Sequence, residues 1–380
     1  EVSALSPVLA AGAWLAVLAA DEAVRFRGRR TSPSPAAGPR WWLLAALAAG
    51  TSILATAAVL TATGAAGSGS DWVRGLTGSL TRSDSGQGPG GISLDPFVGV
   101  EQRITAQSDQ ELIRYRSDDR QRRYLRLTTL ENFDGQVWRP HEPAPGAAAT
   151  EPQPAPPVVA AAQQAEIEVS VSRLANPALP VPNYPRRVAV PGEAEVWRWD
   201  NRTGDVISSG TPAQDRSFTV EAADPDITAD LLAGRSTDSA LAGLINSSLP
   251  PSLPAQIGRT AAEVSAGSDD DYSAAVALQE WFTDPGNFTY SLTVPEAGGR
   301  HPIVAFLQDR QGVCQQFAST MAVMARSLGI PARVVVGFAP GRADGGGSYV
   351  VLGSDAHAWP ELWFDDIGWV RFEPTPSSAQ

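Results

Sequence analysis

The sequence predicts an α+β protein held at a membrane: N-terminal transmembrane helices, a β-rich extracytoplasmic domain, then a core of helices packed on an antiparallel sheet. Three observations predict it. Two uncharged apolar segments fall within the first 66 residues. Short β-type runs bounded by turn residues fill 100–222. After 224 the apolar spacing turns helical, and the chain then closes on a hairpin pattern.

The apolar segments come first. Residues 2–20 hold 19 positions without a charge and 41–66 hold 26, and about 20 helical residues cross a hydrocarbon core of about 30 Å. The 20-residue loop between them carries Arg25, Arg27, Arg29, Arg30 and Arg40. A short basic loop belongs on the cytoplasmic side, so residues 67–380 are expected outside a plasma membrane crossed more than once. Trp41 and Trp42 then sit at the interface. The alternatives are two buried core helices, or a signal peptide in the second segment.

Composition fits that placement. A chain of 380 residues has room for two or three domains. All 29 basic side chains are arginine, against 41 acids and a net charge of -12, which excludes a nucleic-acid partner bound by charge. Residues 1–66 hold five arginines and three acids, leaving the outer part near -14, as suits a soluble extracytoplasmic region. One cysteine excludes a disulfide within the chain, and three scattered histidines exclude a Cys/His zinc cluster. Opening on Glu1 rather than Met, the chain is expected to be a fragment of a longer protein.

Residues 67–95 are rich in Gly and Ser and read as a tether. The β-rich domain is placed at 96–223, with strands at Tyr124–Leu130, Ala165–Val171, Arg187–Val190, Glu195–Trp199 and Ser217–Glu221. Phe133 to Trp138 reads as a turn followed by an aromatic anchor, and the Pro/Ala stretch 143–158 as a mobile loop. A helical connector follows at 224–269, including a helix at Pro254–Ser265. The core is placed at 270–376 and opens on a helix at Asp271–Thr283, capped from the Ser/Asp-rich 266–271.

The chemistry concentrates in that core. Cys314 sits in Gly312-Val313-Cys314-Gln315-Gln316-Phe317-Ala318, and Phe317, Met321, Met324 and Leu328 then recur at helical spacing until Gly329 and Pro331. Cys314 is therefore at a helix N-terminus, where free amides and the positive dipole end favour thiolate and offer donors to an oxyanion. The competing reading is a buried structural cysteine. His357 opens a strand that puts His357, Trp359, Glu361 and Trp363 on one face. A turn at Asp365-Asp366-Ile367-Gly368 leads to a second strand, Trp369 to Glu373. With a bulge at Gly368, Glu373 lies opposite Trp359 and diagonal to His357, where a carboxylate can orient the imidazole.

On these residues, 270–376 resembles the transglutaminase-like superfamily, a papain-related cysteine core. The cysteine motif, Gly329 to Phe338, His357-Ala358-Trp359 and Trp369 to Thr375 carry the resemblance. With the two apolar segments and Leu125-Arg126-Leu127-Thr128-Thr129-Leu130, the chain is similar to bacterial membrane-anchored TgpA-type proteins. The resemblance implies a thiol acyl transfer. Cys314 attacks a glutamine carboxamide or peptide carbonyl, His357 serves as base and then acid, and the thioester passes to an amine or to water. It implies an integral membrane protein acting on a protein or peptide of the cell envelope, without a cofactor. A cysteine peptidase or amidase of the same fold, or a catalytically inactive envelope scaffold, are the alternatives. Glu373 stands where the superfamily commonly has Asp, and Pro360 stands where a β-former is usual, hinting at an edge strand or bulge.

Gln311 is a further candidate, as an oxyanion donor or a solvated loop residue, and Trp359 as a wall of the acyl groove or as core. Tyr290 and Arg310 read as structural or surface, and 340–347 as a flexible loop that could cover the site. Asp344 and Gly345 lack calcium-loop spacing, so no metal is assigned. His141 and His301 have no partner recognisable in the sequence.

Overall fold

A computed structural model describes residues 109–235, 237 and 248–376. Both predicted spans, the basic loop, the Gly/Ser-rich tether, the start of the β-rich segment and part of the connector lie outside the described residues. Among the described residues no helix is long and apolar enough to cross a membrane.

Two antiparallel sheets organise the fold. The first runs in the spatial order 368–371, 356–364, 332–338, 125–130, 181–182. Its central strand, Ala332–Phe338, is buried at every position, because the sheet is covered on both faces there. The second runs 342–345, 348–352, 111–117, 163–171, 216–224, 185–189. Gln163–Val171 alternates buried and exposed residues, so one face of this sheet meets water.

The segment read as a separate β-rich domain shares both sheets with the core. Leu125–Leu130 pairs with Ala332–Phe338, and Glu111–Ser117 pairs with Ser348–Leu352. Strand patterning reveals which residues extend but not which distant strand satisfies their backbone groups. The first pairing needs Gly337: the ladder shifts register between Val336 and Gly337, and a Cβ at Gly337 would lie 2.1 Å from the Leu125 carbonyl oxygen.

Three other expectations change. The Pro/Ala stretch holds a strand, Pro145–Ala148, paired with Arg198–Asp200, and a helical turn at Pro157–Ala160 entered through Pro156 and Pro157. The Gly-rich 340–347 contains Arg342–Gly345, paired with Ser348–Leu352, and Asp344 forms an ion pair with Arg114. Pro360 lies in a strand with neighbours on both sides. Its carbonyl accepts from Phe372 N at 3.0 Å, so its missing N–H faces the same way, beyond the paired residues Gly368–Arg371, and costs the central ladder nothing.

The helices follow their sequence signals. Asp271–Thr283 begins at Asp270, whose carboxylate accepts from Ser273 N at 2.6 Å while Ser273 Oγ accepts from Asp270 N at 3.1 Å. Cys314–Ser327 ends where Gly329 takes φ +89° and Ile330 N reaches back to Ala325 O at 3.0 Å.

Candidate active site

Cys314 is the first residue of the helix Cys314–Ser327, after Val313 as N-cap. Its amide is among the four that an α-helix start leaves without a carbonyl acceptor. Gln316 at the third helical position accepts from Val313 N at 3.0 Å. The helix start is seated by interlocked rings of Phe282, Phe288, Phe306 and Phe317, with centroids between 4.8 and 6.1 Å counting Trp281 beside them. Trp138, the expected aromatic anchor, donates from Nε1 to Ser319 Oγ at 3.0 Å, so the N-terminal segment grips the cysteine helix directly.

His357 stands at the start of the strand Ala356–Phe364, which packs against that helix. Its Nε2 lies 2.9 Å from Glu373 Oε2, and Cys314 stands close enough for its charge to act on the same ring. Glu373 reaches this place because the hairpin pairs Phe364 with Gly368 and Glu361 with Arg371. Gly368 has φ +90° and Asp366 φ +65°, as the tight reversal requires. The same register continued puts Glu373 across from Trp359. The register expected from the turn thus places the Glu373 carboxylate, with its extra methylene, against the His357 ring.

The charges support one another. Burial opposes a proton on His357, yet the Cys314 charge, the hydrogen bonds with Cys314 and Glu373 and the Glu373 charge push it up to about 10. Burial likewise opposes charge on Glu373, but the His357 hydrogen bond and charge, Thr375 and Arg371 hold it below the usual carboxylate range. The arrangement can therefore hold an imidazolium between a sulfur and a carboxylate, which is what a nucleophilic thiol needs.

Two tyrosines join the site: Tyr124, to which the sequence reading gave no role, and Tyr290, which it read as structural or surface. Tyr124, immediately before the strand Leu125–Leu130, donates to Glu373 Oε2 at 3.1 Å from 249 positions away. Its ring lies edge-on to Trp359 at 5.3 Å and under the Arg371 guanidinium at 3.9 Å. Tyr290 stands near Cys314: burial first, then the cysteine's charge, raises its hydroxyl above the usual range. Tyr290 pairs with Gly312, two residues before Cys314, through a short parallel ladder. No local pattern announces either contact, since both depend on long-range strand pairing.

The remaining candidates separate. Gln311 is half-buried and lines a cleft of about 430 Å³ beside the helix start, with Gln315, Gln316 and Ser319. Cys314 itself is 1% exposed. Trp359 is fully buried, between Tyr124 and the His357 ring. Arg310 adopts φ +54° as the C-cap of Pro302–Asp309, a structural place. His301 caps the same helix at its start, accepting from Ile303 N at 3.3 Å, and His141 lies between Glu131 and Asp200 at 3.4 and 3.1 Å. Among the described residues, no group of three or more His, Cys, Asp or Glu is placed to hold a metal ion.

Comparison with known proteins adds to this geometry. Residues 258–374 match the transglutaminase-like superfamily, and residues 1–229 match the TgpA N-terminal domain. A protein-glutamine gamma-glutamyltransferase of Pseudomonas aeruginosa is 41% identical over 103 residues, 27% of this chain and 15% of that one. The uncharacterized protein YebA of Bacillus subtilis is 33% identical over 135 residues, 33% of this chain and 18% of that one. Both matches thus span less than a fifth of the relative's length. The crystal structure of the periplasmic domain of TgpA from Pseudomonas aeruginosa aligns over 72% of this chain and 90% of that one, with a TM-score of 0.56 and 24% identity, a likeness of fold.

Proposed function

We propose that this chain, which belongs to the family of the TgpA N-terminal domain, is a membrane-anchored cysteine acyltransferase with Cys314 as nucleophile, His357 as base and acid, and Glu373 as orienter. The observation that carries the reading is Cys314 at a helix start with its charge acting on His357, whose ring is hydrogen-bonded to Glu373. The relative from Pseudomonas aeruginosa, by its name a protein-glutamine gamma-glutamyltransferase, supports a glutamine carboxamide as acyl donor. The periplasmic origin of the structurally similar domain supports an extracytoplasmic site, with 2–20 and 41–66 as the anchoring spans.

In this mechanism the Cys314 thiolate adds to the carboxamide carbon, and the oxygen takes up the negative charge near the Cys314 amide, with Gln311 as a further donor. Collapse breaks the C–N bond as the His357 imidazolium gives its proton to the departing ammonia, leaving a thioester. An amine then adds to the thioester while His357 takes its proton. The second tetrahedral species expels the thiolate, and an isopeptide bond results. Water in place of the amine gives the carboxylic acid, which is the hydrolase version of the same steps.

The test follows the rate of Cys314 alkylation against pH, with His357→Ala and Glu373→Ala beside the unmodified protein, and then incorporation of a fluorescent primary amine into a glutamine-rich protein against ammonia release alone. Fast alkylation that collapses in His357→Ala, with amine incorporation, supports the transferase. Ammonia release without incorporation supports the hydrolase. A thiol that is slow and indifferent to both substitutions removes the enzyme reading and leaves an envelope scaffold.

A further inference from the structure

A second cavity, of about 270 Å³, opens where the strands 356–364 and 368–371 meet the segments 153–159, 183–186 and 201–204. Neither Cys314, His357 nor Glu373 lines it. In a chain of net charge -12 its lining holds four arginines, Arg126, Arg186, Arg202 and Arg333, and a single acid, Glu361.

Part of that positive charge is already engaged. Arg126 donates to Asp205 Oδ1 from Nε and Nη2, at 3.2 and 3.1 Å, and Arg202 meets Glu131 at 3.1 Å. Arg333 gives Nε and Nη2 to Glu361 Oε2 at 2.8 and 2.7 Å, and its guanidinium lies 4.1 Å from the centre of the Trp369 ring. Arg333 is only 2% exposed, and its Nη1 has no partner. Arg186 Nη1 is in the same state. Gln153 Oε1 and Asn183 Oδ1, on two further lining residues, are buried and unpartnered too. A buried guanidinium N–H without an acceptor is costly, and two of them on residues that line one cavity make a place for a carboxylate. The rest of the wall is apolar, with Trp363, Trp369, Pro156, Val159 and Ile367.

We propose that this cavity binds the carboxylate end of an N-acylated α-amino acid with an apolar side chain. The free N–H groups of Arg333 and Arg186 receive the carboxylate. The side-chain amides of Gln153 and Asn183, whose ends exchange by a flip, meet the ligand's amide. Trp363, Trp369 and their aliphatic neighbours enclose its side chain. The same chemistry is found in a free N-acyl amino acid and at the C-terminus of a peptide. The site is independent of acyl transfer at Cys314.

The test is calorimetric titration of the full chain in lipid nanodiscs, carrying Cys314→Ala so that no turnover intervenes. N-acetylleucine is the probe and N-acetylleucinamide its neutral counterpart. A charge-assisted hydrogen bond contributes about 1.5–3 kcal/mol, so the amide is expected to bind at least about tenfold more weakly than the acid. Arg186→Gln removes one donor and leaves the Arg333–Glu361 pair in place, and it is expected to lose about tenfold as well. A pentapeptide ending in a free leucine binding as tightly as the small acid identifies a chain end as the source. Binding of the small acid alone identifies a free metabolite, and either result supports the site. Equal affinity for acid and amide, or no heat from either at millimolar concentration, overturns it. The acid and amide are compared in the same chain, so this comparison decides the matter even if the Arg186 variant does not fold.

Discussion

His357 Nε2 lies 2.9 Å from Glu373 Oε2, although the carboxylate belongs to a residue beyond the last paired position of its strand. Two further groups hold it there. Gln279 Oε1 accepts from Glu373 N at 2.7 Å, and Thr375 N donates to Glu373 Oε1 at 3.2 Å. The longer glutamate side chain is therefore tied at its backbone and at both carboxylate oxygens.

Glu373→Gln keeps the shape and removes the charge. If Cys314 acts as nucleophile, acyl transfer is expected to fall by at least about tenfold, towards the roughly 10⁴-fold loss seen when a triad carboxylate is neutralised. Glu373→Asp withdraws the oxygen by one methylene and is expected to fall between the two. Single-turnover rates on one acyl donor check this, and a Gln variant as active as the parent would remove Glu373 from the mechanism.

Tyr124 is expected to act as a positioning residue through Glu373. Tyr124→Phe deletes the 3.1 Å hydrogen bond while keeping the ring against Trp359 and Arg371. A hydrogen bond to a charged group is worth about 1.5–3 kcal/mol, so its loss corresponds to a fall in kcat of about ten- to a hundredfold with KM unchanged. A change in KM alone would assign Tyr124 to substrate contact instead.

The local parts of this site were legible because each has a short-range cause. The start of the cysteine helix follows from the apolar spacing after Cys314 and the stop at Gly329, and the Glu373 register follows from the turn at 365–368. The contacts of Tyr124 and Tyr290 were not legible. Tyr124 reaches the hairpin because Leu125–Leu130 pairs with Ala332–Phe338, and Tyr290 comes near Cys314 because Thr289–Tyr290 pairs with Gln311–Gly312. Alternating side chains state that a strand has a buried face, and leave its partner open. The same limit explains why the N-terminal β-rich segment looked separable from the core.

The protonation of His357 ties the charge state of the site to stability. Its pKa is raised from 6.5 to about 10, so the proton adds stability that is complete below about pH 6.5 and is lost as pH rises through about 10. Glu373, held low, acts at the other end: its contribution is present above its ordinary value of 4.5 and is lost as pH falls through the lower folded one. Cys314→Ala removes the largest upward influence on His357 and leaves burial opposing the proton. The imidazole of that variant is expected to titrate at lower pH, and the alkaline decline in Tm to begin earlier. With only three histidines in the chain, ring-proton NMR can follow His357 directly. An unchanged titration in the Ala variant would show that the thiol and the ring do not communicate.

Gly337 tests whether the N-terminal strand is part of the catalytic fold. It lies opposite His357 in one neighbouring strand and against Arg126 in the other. An alanine Cβ there would meet the Leu125 carbonyl oxygen at 2.1 Å and the Arg126 Cα at 2.9 Å, both backbone atoms without a rotamer to yield. Leu125–Leu130 must then move away, and Tyr124 moves with it. Overpacking of this kind costs about 1–3 kcal/mol, or about 2–10 °C in Tm for a domain of this size. Gly337→Ala is therefore expected to lower Tm and, at temperatures where it stays folded, to reproduce the kcat loss of Tyr124→Phe. A variant that melts early yet keeps full kcat would show that the strand supports stability without positioning Glu373.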